Sequence, residues 1–437
     1  MKKDIITIKE YGAFCVKKES GVHISGYTPL DPSTFEDLER FVLENNREGE
    51  DGALELMGLS AKKGVGKIIT AKNYVGVIVM NDGTAIEILP KVYSQDKEAS
   101  IEESKTVFLK MLRALRSSSY KSFQTASLDV CKMNVFEIFI RMFIDEVTGI
   151  VKRGIKSSYE VIEENSNCFK GKVKFSDHVK FNYAHKERVF VAHDEFTVNR
   201  PENRLLKSTL LYLYKKTNSP KNKKDIKTLL ESFSEAEHSL NYDADFSKIV
   251  PDRNTANYST ALSWAKVFLK GKSFTSFSGS NVSIALLFPM EQLFESYIAS
   301  LIRKQLVPKG YTVVTQDRKY HLFDQPDKKF LMKPDIVITK NAETFVMDTK
   351  WKILSASKAN YGISQADMYQ MYAYQKKYNS QNVTLLYPKT ESVVSDNDIR
   401  FISNDNASVD IKFVDLLNIE RLNFEGLLKV VEYKGTK

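Results

Sequence analysis

Cysteine is scarce in this sequence, with Cys15, Cys131 and Cys168 the only three in 437 residues. They are scattered and odd in number, with no CxxC or Cys/His spacing. A disulfide framework and a zinc site are therefore not expected. The six histidines (His23, His178, His185, His193, His238, His321) show no ligand spacing either, so core or surface roles are expected for them. Long apolar runs are also lacking. No stretch approaches a membrane span, and the basic start "MKKDIITIKEYG" has no apolar region after it. A cytoplasmic chain without a membrane partner is the expectation. No fixed-period repeat is present. A complete G-x-x-x-x-G-K-[ST] is missing too: "KKGVGKII" has glycines and a lysine at the wrong spacing, with Ile68 in the Ser/Thr position. No nucleotide is expected to bind to this chain itself.

What is present is apolar material and positive charge. Apolar residues make up 42% of the chain, including 26 Phe and 21 Tyr, enough to fill real cores. The length suggests two or three domains. Lys and Arg number 64 against 55 Asp and Glu, a net charge of +9 that favours an anionic partner, nucleic acid being the commonest.

The pattern predicts a multidomain α/β protein in three parts. Residues 1–95 alternate apolar and polar positions around turns such as Lys62-Lys63-Gly64 and Asn81-Asp82-Gly83, giving a β-rich region. Residues 96–281 are mainly helical, as in "MNVFEIFIRMFIDEVTGIVKRG", and end in a Gly/Ser-rich joint at 271–281. Within them, 215–227 holds six lysines and one aspartate, read as a solvated loop between helices. Residues 282–437 run from the helix "PMEQLFESYIASLIRKQL" through the strand "YTVVTQDRKYHLF" to alternating strands and helices, an αβ domain with one central sheet.

That last part carries the chemistry. "FLMKPDIVITKNAETFVMDTKWK" reads as a half-buried β-hairpin with a Lys340-Asn341-Ala342-Glu343 tip. Asp335 and Asp348 fall near its open end, where two carboxylates repel unless a cation lies between them. Lys350 is two residues past Asp348, so strand alternation puts both on one face. Mg²⁺, with Mn²⁺ as its substitute, takes one or two carboxylates and leaves room for water and phosphate. The Thr349 carbonyl is a further hard donor. Phosphodiester hydrolysis needs this set: a hard cation, an activated water and charge stabilisation.

Pro334-Asp335 followed by Asp348-Thr349-Lys350 resembles the PD-(D/E)XK nuclease signature. In such nucleases the preceding helix often supplies a metal-approaching glutamate, which implies Glu295 in "LFESY", with Glu291 one turn earlier as its rival. The following helix has Gln370 and Tyr374 four apart on one face, similar to the QxxxY motif of the RecB-like branch. Further blocks, "NYVGVI", "IEILPKV", "FKGKVKF", "NRPENRLLK" and "ADMYQMYAY", resemble the McrC family, with Lys170-Gly171 where Arg-Gly is usual.

The resemblance implies a PD-(D/E)XK restriction-endonuclease-like domain. It also implies a Mg²⁺-dependent DNA endonuclease subunit of an McrBC-like, type IV-like restriction system. Its implied partners are an McrB-like AAA+ GTPase hexamer, which recognises modified cytosine and whose GTPase it stimulates, and double-stranded DNA carrying that base. Residues 1–95 would contact the ring. Asp335, Asp348, Lys350, Glu295, Gln370 and Tyr374 would form the catalytic set, the first two and Glu295 holding metal. A stand-alone RecB-like repair nuclease and a non-catalytic adaptor of a AAA+ complex are the alternatives.

Overall fold

The computed structural model describes residues 5–17, 24–45, 56–94, 97–114, 134–250, 255–270, 282–355, 357–389 and 399–428. The expected joint at 271–281, Cys131 and His23 lie outside them. The chain is a mixed α/β protein of two compact units, Met1–Val135 with Ser273–Lys437, and Phe136–Lys272.

The first unit opens with β1 (Ile5–Lys9), β2 (Ala13–Val16), β3 (Thr28–Leu30) and α1 (Pro32–Asn45). Then come β4 (Met57–Lys62), β5 (Gly66–Ala71), β6 (Tyr74–Met80) and β7 (Ala85–Leu89). The short β8 (Tyr93–Ser94) and β9 (Lys97–Glu98) pair with each other ahead of α2 (Ile101–Ala114). The helix α1 lies within the expected β-rich region. It buries Phe35, Leu38, Phe41 and Val42, a three-and-four spacing that marks one face of a helix. "KKGVGKII" lies in the β4–β5 hairpin, with Gly64 and Gly66 at positive φ. A phosphate-binding loop instead leads from a strand into a helix.

The second unit holds α3 (Val135–Arg153), β10 (Ser158–Ser166), β11 (Lys172–Val173), α4 (Phe175–Asn182) and β12 (Val189–Thr197). Its helices continue with α5 (Pro201–Lys216), α6 (Pro220–Ser232), α7 (Tyr242–Ser247) and α8 (Ser259–Lys270). The lysine-rich stretch is not the expected loop. Ser219 caps α6 by accepting from the Asn222 N–H, and Pro220 starts the helix, so most of 215–227 is helical.

The chain then returns to the first unit as β13 (Val282–Pro289), which pairs antiparallel with β6 and completes the sheet β1-β7-β6-β13. Gly76 makes this pairing possible, because a Cβ there would stand 1.9 Å from the Leu286 carbonyl oxygen. The sequence reading placed boundaries at 95/96 and 281/282, whereas β13 joins the N-terminal strands to everything that follows it within one compact unit.

Pro289 leads directly into α9 (Met290–Leu306). Next come β14 (Thr312–Thr315), β15 (His321–Phe323), β16 (Lys329–Leu331), β17 (Ile336–Lys340) and β18 (Glu343–Thr349). The chain closes with α10 (Gln365–Tyr378), β19 (Asn382–Pro388), β20 (Ile399–Ile402), β21 (Ser408–Val414) and α11 (Phe424–Leu428). The expected single strand at 311–323 is broken: Gln316 adopts φ 52°, and β15 turns away to pair with β16. The central six-stranded sheet has the order β14-β17-β18-β19-β21-β20, with β18, β19 and β21 mutually parallel.

The β17–β18 tip is tighter than expected. Lys340 pairs with Glu343, leaving a two-residue turn of Asn341 and Ala342, both at positive φ as a type I′ turn requires. The hairpin is also more buried than its alternation suggests, for both of its faces are covered. Val337, Val346, Leu385, Met371 and Tyr374 belong to one buried cluster, where each fully buried aliphatic side chain contributes about 1.5–3 kcal/mol. Among the described residues no helix is long and apolar enough to cross a membrane.

Candidate active site

Register brings the two hairpin acids together. Ile336 pairs with Met347, so one step further along the same antiparallel ladder sets Asp335 opposite Asp348. Asp335 Oδ2 is held by the Thr349 N–H at 2.8 Å and the Thr349 hydroxyl at 2.7 Å. Asp348 is 1% exposed. Its buried Oδ2 is ion-paired with Lys350 Nζ at 2.7 Å. Lys350 is fixed by its main chain, whose N–H donates to the Leu386 carbonyl of β19.

The helices complete the surroundings. On α9 it is Glu295 that reaches the pair: the Gln316 side-chain amide donates both to Glu295 Oε1 and, at 3.3 Å, to Asp335 Oδ1. Glu291, the rival, accepts from Asn73 instead. On α10, Gln370 Oε1 faces Lys350 Nζ at 3.5 Å while its amide donates to the Tyr374 hydroxyl at 2.7 Å. All six expected side chains therefore converge, though Glu295 meets Asp335 through the Gln316 amide. Among the described residues no three His, Cys, Asp or Glu side chains form a closed ligand set.

Several participants carried no recognised signal in the sequence. Gln316 acts from a broken strand, and Thr349 contributes its N–H and hydroxyl to Asp335, where only its carbonyl was considered. Asp367 lies 3.9 Å from Lys350 Nζ and 2.9 Å from Lys352 Nζ. A local signal did exist for Asp367. Ser364 caps α10 by accepting from the Asp367 N–H, the S-x-x-D pattern of a helix start.

Electrostatics follow from the crowding. Burial, then the Glu295 charge, raise the Asp335 carboxyl above its ordinary range; burial, then Asp335, do the same for Asp348. Burial alone would lower Lys350, but Asp348, Asp335 and Asp367 together hold it above its usual value. Two buried, hard carboxylates that face each other and are both raised above their ordinary range fit a divalent cation, and Mg²⁺ suits them because that ion needs few protein ligands. In the absence of metal the unfolded chain releases these protons at lower pH than the folded one. Stability is therefore lost as pH climbs through the raised values. A cation held by the deprotonated pair would offset that loss. The Mg²⁺-induced rise in melting temperature should accordingly be larger at about pH 8 than at about pH 5.5. Thermal scans at both would contradict this if the shift were equal or larger in acid.

With this geometry established, likeness to known proteins gains meaning. The family profile described as "McrBC 5-methylcytosine restriction system component" matches residues 69–388. The chain belongs to that family. The McrBC match spans every acid, lysine, glutamine and tyrosine of the site. No curated protein matches the chain. Among solved structures, similarity is found to a refined half-complex from a tetradecameric assembly of Thermococcus gammatolerans McrB AAA+ hexamers with bound McrC. There the identity is 17%, the TM-score 0.68, and the match covers 97% of this chain and 98% of that one. The cryo-EM structure of the Thermococcus gammatolerans McrBC complex matches at 18% identity with a TM-score of 0.49, over 69% of this chain and 88% of that one. This McrBC family member thus shares its fold with a chain of such an assembly along nearly its whole length.

Proposed function

We propose that this chain is a Mg²⁺-dependent DNA endonuclease subunit of PD-(D/E)XK type, working with a AAA+ GTPase ring on DNA that carries modified cytosine. The observation that carries the reading is the buried Asp335–Asp348 pair with Lys350 ion-paired at 2.7 Å, inside a chain of the McrBC family. Asp335 and Asp348 hold the cation, with Glu295 at hand beside Gln316. When bound, Mg²⁺ supplies Lewis-acid polarisation of the phosphate and a more acidic water. Lys350 orients that water and offsets the charge that develops on the phosphate. Gln370, braced by Tyr374, keeps the ammonium aimed at the acids. A cation held there would offset the carboxylate charges that add to burial in raising both groups.

The ring partnership draws support from the family and from the McrB hexamers named in the similar assembly. We assign contact with the ring to the N-terminal β-region, whose β4–β5 tip carries Lys62 and Lys63. Deleting residues 1–95 is a poor test, because it strips β13 of its partner β6. Point changes are cleaner. Asp335→Asn/Asp348→Asn should still raise partner GTP turnover to the parental level, while Lys62→Ser/Lys63→Ser should lower it with cleavage chemistry unaltered per productive complex. Normal stimulation by the tip variant would move the contact elsewhere.

A further inference from the structure

We propose that Glu10, far from the acids in sequence, is a positioning residue for this site and acts through Trp351. The inference rests on the nuclease reading for what is positioned, and on the following geometry for how.

Glu10 directly follows β1 and is 2% exposed. Burying a carboxyl is costly unless it is well bonded, and Leu or Met would fill the space without that cost. Its partners explain its presence. Oε1 accepts from the Trp351 indole N–H at 3.0 Å, and Oε2 accepts from the Lys91 N–H at 3.0 Å and from the same indole at 3.3 Å. Burial pushes the carboxyl up to about 8, with both donors pulling the other way. Gln keeps the volume and one acceptor oxygen but turns its NH₂ towards one of the donors, so it replaces Glu10 in part.

Trp351 is the residue after Lys350, and it is 5% exposed. Its ring meets Phe294 edge-on at 5.4 Å, and Phe294 is the residue before Glu295 on α9. The indole thus packs between the strand end that carries Lys350 and the helix that carries Glu295, and Glu10 fixes its far side. A second tie runs parallel: Asn73 accepts from the Met290 N–H and donates to Glu291, pinning the first turn of α9. The N-terminal strands hold both elements of the site in place. A displacement of about 1 Å at a catalytic group costs up to ~10²-fold in rate, so loosening Trp351 acts on turnover.

Trp351→Phe removes the N–H and keeps a ring against Phe294. In full chain with its ring partner, GTP, Mg²⁺ and plasmid carrying 5-methylcytosine, kcat should fall about tenfold or more, with KM for DNA and the Mg²⁺ Kd unchanged. Glu10→Leu should match it, and Glu10→Gln should lie between Glu10→Leu and the parent. The double variant Glu10→Leu/Trp351→Phe should be no slower than the slower single, since both remove one interaction. Losses that add and simply track melting temperature, or an unchanged kcat, overturn the proposal. A second readout needs no cleavage. The chain has two tryptophans, Trp264 and Trp351, so 5-fluorotryptophan labelling gives two fluorine signals. Mg²⁺ alone should shift the Trp351 signal in the parent and not in Glu10→Leu. A Trp351 signal that ignores Mg²⁺ overturns the proposal, whereas a shift in a parent that cuts nothing keeps it and sinks the nuclease reading.

Discussion

An Asp348→Asn chain is expected to cut no DNA above background while folding at least as stably as the parent in the absence of metal. Both halves come from one cause. Asp348 is buried, and burial together with the facing Asp335 raises its carboxyl. Above the raised values the folded protein therefore carries two like charges that the unfolded chain spreads through water. Asn removes one charge at nearly constant volume and so relieves the folded state. The same change would delete one of the two proposed cation ligands, so the Mg²⁺-dependent rise in melting temperature should vanish with the cleavage. Plasmid nicking and thermal scans on one sample check both. Full cutting with Mg²⁺ by Asp348→Asn removes the acid pair from the chemistry.

Lys350→Ala is expected to lower cleavage by roughly 10²-fold or more while Mg²⁺ binding stays near the parental level. The Lys350 side chain is 22% exposed and close to Asp348, Asp367 and Gln370, so in the proposed reaction it would stand where charge builds on the attacked phosphate. In the proposed role its ammonium would not coordinate the cation. Calorimetric Mg²⁺ titration beside single-turnover cutting separates the two quantities. Collapse of metal binding would show that Lys350 orients the acids, and would withdraw the role assigned to it.

The hairpin and its acids were legible because everything that defines them is short-range. Alternation over 336–349 gives two strands whose open end brings Asp335 and Asp348 near each other, and Asp348 and Lys350 share a face by spacing alone. Gln370 and Tyr374 were equally local, four residues apart on one helix. The choice between Glu291 and Glu295 was not set locally, because both share a helical face and their distant partners, Asn73 for Glu291 and Gln316 for Glu295, separate them. Gln316 escaped because a left-handed residue within an apparent strand leaves no mark in composition. β13 escaped because its partner β6 lies some 200 residues away, and Glu10 because its indole partner is 341 positions distant. The tight turn was misjudged for a smaller reason: Ala342 at positive φ is uncommon for a residue with a Cβ.

The central claim is that Asp335 and Asp348 together hold the divalent cation that drives hydrolysis. Anomalous diffraction from crystals of the full chain in Mn²⁺, at a concentration that supports cutting, tests it most directly. The account predicts an anomalous peak between the two carboxylates, absent from Asp348→Asn crystals grown alike. A cleavage-competent protein with no peak there, or with its Mn²⁺ bound at other residues, would contradict it.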